Sequence, residues 1–265
     1  MVEKVQEQSR KHLMKSVKNN SVVLAYSGGM DSTVLLYDAA KRFDEVHTIS
    51  FDYGQRHLRE LECAQWNLER VPNAYRKRID VSYIKDIAPG SSLTNINIDN
   101  PNIREMAGDA QPISYVPFRN MMFLSIASSY AESIGANTVL YGCAQADSLA
   151  GYWDSSPEWI KSVNTLLSLN RKSKICVEAP LLEKSKKEII LDGIKLGVDF
   201  GKTWTCYSNR SDGLADADTP SSSLRLRGFI EAGYRDPIKY IQQNKLEEIY
   251  KKNKCKYTKF DTPIH

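Results

Sequence analysis

No run of about 18 apolar residues occurs in the chain, which excludes a membrane-spanning helix. The first residues lack the apolar core of a signal peptide; Lys4, Lys11, Lys15 and Lys18 punctuate a polar stretch instead. Cysteine is scarce, with five residues in no paired spacing, so no disulfide framework is expected and a reduced, cytoplasmic setting is the default. Internal repeats and low-complexity segments are missing as well. Neither sign of charge dominates: 36 Lys and Arg against 32 Asp and Glu leave +4, too weak a field to argue for nucleic acid as partner. What remains is a 265-residue chain, 42% hydrophobic and 26% charged, of soluble globular character. It is long enough to bury a full core, as one large domain or one domain with an appendage.

The familiar phosphate loops are also absent. No Gly-Lys-Ser/Thr follows a glycine turn and no G-x-G-x-x-G is present, which excludes a Walker A loop and a dinucleotide fingerprint. In their place stands the stretch from Ser21 to Ser32. Val22, Val23 and Leu24 read as a buried strand, and Ser27, Gly28 and Gly29 as a tight turn. Val34, Leu35 and Tyr37 to Ala40 continue as a helix, with Asp31 or Ser32 as its N-cap. A glycine turn entering a helix is an anion site, because free N–H groups and the positive dipole end converge there.

The rest of the chain alternates strands and helices. Residues 3–18 read as a helix with a basic face, Glu45–Phe51 as a strand, Leu58–Glu69 as a helix and Arg76–Ser82 as a weak strand. Residues 86–114, rich in Ser, Asn, Pro and Gly, read as a mobile cover over a site. Phe118–Ile134 reads as a buried helix ending before Gly135, with Met121 and Met122 in the core. Thr138–Gly142 and Ile175–Glu178 follow as strands, Trp159–Leu169 and Lys186–Leu196 as helices, the last closed by Gly197. This pattern predicts an α/β fold with a parallel sheet and helices on both faces. Ligands in such sheets sit at the carboxyl ends of the strands, which draws Ser27–Ser32, Phe51–His57 and Gly142–Asp154 around one crevice. Residues 1–200 form the main domain of this reading, and 201–265 a small helical C-terminal subdomain.

Several side chains suit chemistry at that crevice. Ser50–His57 leaves the second strand where it would shape a nucleotide pocket; His57 is either a general acid/base or a packing group of the next helix. Arg119, in Tyr115-Val116-Pro117-Phe118-Arg119-Asn120, stands at a helix start against the dipole, which favours a phosphate or carboxylate contact. Tyr141–Asp147 and Gly151–Asp154 mix aromatics with two carboxylates, suiting a planar heterocycle with ring N–H donors. Ser185 and Glu188 form a capping box around Lys186, a residue able to neutralise a phosphate.

The turn Ser27-Gly28-Gly29-x-Asp31-Ser32 resembles the pyrophosphate loop of N-type ATP pyrophosphatases. With SFDYGQRH at 50–57, YVPFRN at 115–120, GYWD at 151–154, the run at 180–189, TWTCY at 203–207 and LRLRGF at 224–229, residues 21 to about 237 resemble the QueC family of queuosine-precursor biosynthesis. The resemblance implies a Rossmann-type, adenine-nucleotide α-hydrolase-like fold. It also implies an ATP-dependent, AMP-forming ligase that converts 7-carboxy-7-deazaguanine to the nitrile, using ammonia, by way of the amide. Asp31, Ser32, Arg119 and Lys186 would then be catalytic. Tyr26, Ser27, Gly28, Gly29, Asp31, Ser32, Phe51, Gln55, Arg56 and Gly142 would hold ATP and pyrophosphate, with Mg²⁺ on Asp31. Tyr115, Arg119, Asn120, Asp147, Gly151, Tyr152 and Asp154 would bind the deazaguanine.

The chain departs from the family pattern in two places. The family carries a structural zinc on four cysteines near the C-terminus; only Cys206 is retained, and Asp216, Thr219 and Ser222 precede the Leu-Arg segment, so no zinc is expected. After the Tyr-x-Asp match the family has Cys-Arg-Pro-Glu, whereas here Ser155-Ser156-Pro157-Glu158 removes an Arg and its charge-assisted contacts. A second reading therefore keeps the adenylation but passes the acyl group to a protein amine, as in QueC-like proteins of antiphage operons with a co-encoded acceptor. A third is a tRNA-thiolating relative using Cys143, and a fourth an inactive nucleotide-binding module. A homodimer stays open.

Overall fold

The computed structural model describes residues 20–53, 58–95, 97–98, 113–149, 152–206 and 212–260. The helix expected over 3–18, the positions Gln55, Arg56, His57 and Gly151, and most of the 86–114 cover lie outside them.

Among the described residues five strands form one parallel sheet: β1 (Ser21–Ala25), β2 (Glu45–Asp52), β3 (Ala74–Asp80), β4 (Thr138–Leu140) and β5 (Cys176–Glu178). Their order is β3-β2-β1-β4-β5. The chain runs outward from β1 to β3, then returns to the other side of β1, so the order reverses between β1 and β4. A parallel sheet opens a crevice at such a reversal, beyond the carboxyl ends of the strands.

β1 alternates between two cores, as the pleat requires. Val22 and Leu24 join Leu35, Leu36, Ala64, Ile189 and Phe229 on one face, from α1 (Met30–Arg42), α2 (Leu58–Leu68), α7 (Lys186–Leu196) and α8 (Pro220–Ala232). Val23 joins Leu124, Ala127, Val139, Trp159 and Val177 on the other, under α4 (Arg119–Ile134) and α6 (Pro157–Leu167). The expected α/β fold with helices on both faces is the one observed. Short helices α3 (Ile84–Ile87) and α5 (Gln145–Leu149) complete this part. A third core gathers Trp204, Leu226, Ile238, Tyr240, Leu246 and Tyr250 around α8 and α9 (Gln243–Lys252). No helix among the described residues is long and apolar enough to cross a membrane.

Several boundaries differ from expectation. α1 starts at Met30 with Gly29 as N-cap and no side-chain cap, so Asp31 and Ser32 lie inside the first turn. Their side chains are engaged elsewhere: Asp31 with Lys186, Ser32 with the Gly29 carbonyl at 3.2 Å. β3 begins two residues early, because its register on β2, from Val46 opposite Ala74, decides the pairing of a polar edge strand. α4 is half-buried rather than buried, though Met121 and Met122 do pack on the second core. α6 starts at Pro157, which suits a first helical position, and Ser156 caps it by accepting the Trp159 N–H at 3.1 Å. Of the 86–114 segment, Ser91 and Ser92 are buried and the Ser92 N–H donates to the Ile113 carbonyl at 2.9 Å.

α7 crosses α1 and the turn beyond it closely, and Gly193 permits this. A Cβ there would lie 2.4 Å from Phe200 Cζ and 2.8 Å from Val34 Cγ2. Gly193→Ala is therefore expected to destabilise the fold by about 1–3 kcal/mol, although Ala gains about 1 kcal/mol in helix propensity. Urea unfolding measures this, and an equally or more stable variant would contradict the packing argument.

Candidate active site

A cleft of about 410 Å³ opens where β1 and β4 part. Its floor is the turn after β1. Gly28 adopts φ +86°, and a Cβ on it would stand 2.2 Å from the Glu60 carbonyl and 2.8 Å from the Ala64 nitrogen of α2. Only glycine permits that approach. The turn is tied by Ser27 Oγ, 3.1 Å from Ser32 Oγ and accepting the Gly29 N–H at 3.2 Å. Asp31 and Ser32 in the first turn of α1 line the cleft, where a helix start leaves amides without intrahelical partners.

Lys186 reaches this floor from the start of α7. The capping box fixes that start: the Ser185 N–H donates to Glu188 Oε2 at 2.8 Å, and the Glu188 N–H to Ser185 Oγ at 3.3 Å. Lys186 Nζ donates to Asp31 Oδ2 at 2.6 Å, with the two side chains 12% and 18% exposed. Burial alone would depress the lysine, but the charges of Asp31 and Asp147 outweigh it and hold its pKa above the ordinary value. The other oxygen of Asp31, Oδ1, is buried with no hydrogen-bond partner. A hard cation takes such a carboxylate oxygen, so the residues present fit a Mg²⁺ ion here.

The rest of the cleft lining carries further polar and aromatic groups. Asp154 accepts the Asn120 Nδ2–H at 2.9 Å, and burial raises its pKa against the lowering effects of Arg119 and Asn120. Arg119 Nη1 stands 3.5 Å from the Tyr53 hydroxyl. Tyr115 accepts both the Trp153 indole N–H at 3.1 Å and the Phe118 N–H at 3.2 Å. Phe118 enters α4 in the left-handed region, φ 53°, and so turns the chain to start that helix at Arg119. Phe51, stacked on Phe123 with centroids 4.0 Å apart, supplies an apolar face. Asp147 Oδ2 accepts the Ala144 N–H at 2.9 Å, and burial raises its pKa.

Tyr26, Ser27, Asp31, Ser32, Phe51, Gly142 and Lys186 therefore line the same cleft as Tyr115, Arg119, Asn120, Asp147, Tyr152 and Asp154. Gly28 and Gly29 lie beneath it, packed on α2 and on the Trp204 carbonyl. Ser156 does not line it: its hydroxyl donates to the Trp153 carbonyl at 3.1 Å while capping α6, so the family's missing Arg leaves a helix cap at that position. Sequence reasoning missed Glu60 outright, quoted Tyr53, Thr205 and Leu224 only as parts of motifs, read Tyr141 only as one of the loop's aromatics, and named Thr219 only as a lost zinc position. Tyr53 and Tyr141 sit directly after strands; Thr205 and Leu224 sit in the TWTCY and LRLRGF runs, but nothing local to those runs announces that they wall the cleft.

A family model described as "Queuosine biosynthesis protein QueC" matches residues 21–233. The 7-cyano-7-deazaguanine synthase of Thermoplasma volcanium is 39% identical over 238 residues, covering 88% of this chain and 95% of that one. Its counterpart from Clostridium kluyveri is 42% identical over 224 residues, covering 82% and 96%. The 7-cyano-7-deazaguanine synthase 1 of Colwellia psychrerythraea is 41% identical over 219 residues, covering 83% and 98%. With the model spanning most of the chain and the relatives nearly full length, this protein belongs to the QueC family.

Proposed function

We propose that the chain is an AMP-forming ligase that adenylates 7-carboxy-7-deazaguanine and passes the acyl group to ammonia, giving the amide and then 7-cyano-7-deazaguanine. The observation that carries this reading is that the Lys186–Asp31 pair beside the glycine turn and the Asn120–Asp154 pair line one cleft. The first end suits a pyrophosphate, the second a guanine-like edge.

A carboxylate is a poor acyl donor because its oxygen leaves badly. Attack of that oxygen on the α-phosphorus of ATP gives an acyl-adenylate, and pyrophosphate departs toward the amides of Ser27–Ser32. Ammonia then adds to the acyl carbon and AMP leaves, forming the amide. A second adenylation, on the amide oxygen, lets AMP leave again as the nitrile forms. Lys186 and Arg119 offset the charge that gathers on the phosphates, and Mg²⁺ held by Asp31 would supply further neutralisation. Asp154 and Asn120 would take the ring N–H donors of the base, and Phe51 its face.

The alternatives fare differently. A thiolating relative needs a reactive sulfur, but burial pushes the Cys143 thiol up to about 12, with Asp147 beside it reinforcing the shift. A thiol so held is protonated at neutral pH and is a poor nucleophile. An inactive module has no use for a turn, a cation and a carboxylate brought together at one floor. Transfer to a protein amine keeps every group named here and differs only in acceptor.

Incubation with ATP, Mg²⁺, 7-carboxy-7-deazaguanine and ammonia is expected to yield AMP, pyrophosphate and the nitrile, followed by mass. No AMP with any deazaguanine acid would overturn the ligase reading. AMP without nitrile, together with a mass adduct on a co-encoded protein, would replace ammonia by a protein amine. Asp31→Ala is expected to abolish AMP formation, and Gly28→Ala to reduce it at least about 100-fold, as a displaced cradle misplaces the phosphates.

Asp147 gives a prediction with a defined sign. Its pKa in the folded protein lies above the ordinary carboxylate value, so the folded state holds the proton more tightly than the unfolded one. That contribution is lost as pH rises through the raised pKa, and at neutral pH the ionised group is a net cost. Asp147→Asn is thus expected to raise Tm at pH 7.5, with the difference shrinking toward pH 4, while product formation falls. A less stable variant at pH 7.5 would contradict this.

A further inference from the structure

We propose that the C-terminal wall of the cleft is closed by a metal-free cluster of Cys206, Thr219 and Ser222, and that Thr219 is a positioning residue for the phosphate cradle. The family pattern implies zinc at these positions, with Asp216 as the fourth. The donors present do not fit it.

The Asp216 N–H donates to Cys206 Sγ at 3.3 Å, and Thr219 Oγ1 stands 3.8 Å from the same sulfur. The Thr219 hydroxyl lies 2.8 Å from Ser222 Oγ and 3.0 Å from the Asp216 carbonyl. Neutral hydroxyls bonded to one another are not the thiolate, imidazole or carboxylate that zinc selects. The Asp216 carboxylate is engaged too, with Oδ1 accepting from Gln242 Nε2 at 2.9 Å and from the Asp218 N–H at 3.0 Å. Cys206 is 1% and Ser222 0% exposed, so these bonds form where water does not compete.

The cluster holds one end of a strap, residues 203–206. Arg225, fully buried and paired with Asp236 at 2.8 Å, holds the other end through Thr203 Oγ1 at 2.8 Å. Between the two, the Trp204 N–H donates to the Gly28 carbonyl at 3.4 Å, and the Trp204 indole N–H to the Cys206 carbonyl at 2.8 Å. The Arg59 guanidinium covers that indole at 3.9 Å. The cradle glycine is therefore backed by a strap whose near end is set by the hydroxyl of Thr219. Thr219 itself and Thr205 also face the cleft. Loosening the cluster would shift the floor under the phosphates before it unfolded the protein.

The test uses the full chain, with zinc content, Tm with and without EDTA, and the variants Thr219→Val and Thr219→Ser. Wild-type protein is expected to carry no stoichiometric zinc and to keep its Tm in EDTA. Thr219→Val is expected to lower Tm by about 2–4 °C, the loss of one net hydrogen bond in a chain of this size. It is also expected to raise KM for ATP roughly five- to tenfold with a smaller change in kcat, and Thr219→Ser to restore both. Stoichiometric zinc whose removal lowers Tm would overturn the proposal, as would Thr219→Val with Tm and KM unchanged. The KM arm rests on the ligase reading above; the metal and Tm arms do not, so a protein that makes no AMP leaves them decisive.

Discussion

The ion pair between Lys186 and Asp31 is the contact on which the site depends, since it joins two helix starts across the reversal of the sheet. Neither charge could stand there alone: breaking a buried pair by removing one partner typically costs about 3–5 kcal/mol. The lysine is also placed against its helix dipole, a local cost that the capping box of Ser185 and Glu188 offsets by satisfying amides at the same terminus. What the pair secures is charge at the floor of the cleft, with one carboxylate oxygen of Asp31 left without a partner. An unpartnered buried oxygen is a poor choice for stability alone.

Around that pair the cleft is assembled from segments far apart in the chain. The turn after β1 gives Ser27, Asp31 and Ser32, the loop after β4 gives Gly142, α5 gives Asp147, and the start of α4 gives Arg119 and Asn120. α2 supports Gly28 from one side and the 203–206 strap from the other. The aromatic groups Phe51, Tyr53 and Tyr115 line the same cleft and add apolar faces to these polar groups.

Much of this was legible in the sequence where local signals suffice. The strand of Val22–Leu24, the helix Lys186–Leu196 with its capping box and its Gly197 terminus, and the parallel α/β plan follow from apolar period, cap chemistry and glycine placement. Thirteen of the eighteen residues given catalytic or binding roles beforehand line a single cleft. The misses have physical causes. Asp31 and Ser32 do not cap α1 because they lie inside its first turn, with their side chains on Lys186 and the Gly29 carbonyl. The polar edge strand β3 took its limits from pairing with β2. Ser156 reads as a pocket change beside Pro157 but its hydroxyl caps a helix. The contact of Trp204 with Gly28 spans most of the chain, and nothing in either neighbourhood announces it.

The central claim is that a carboxylate oxygen attacks the α-phosphorus above the Ser27–Ser32 turn. Turnover of 7-carboxy-7-deazaguanine carrying oxygen-18 in its carboxylate tests it most directly. The account predicts AMP that has gained a labelled oxygen and pyrophosphate that has gained none. Unlabelled AMP, or label in pyrophosphate or inorganic phosphate, would contradict it.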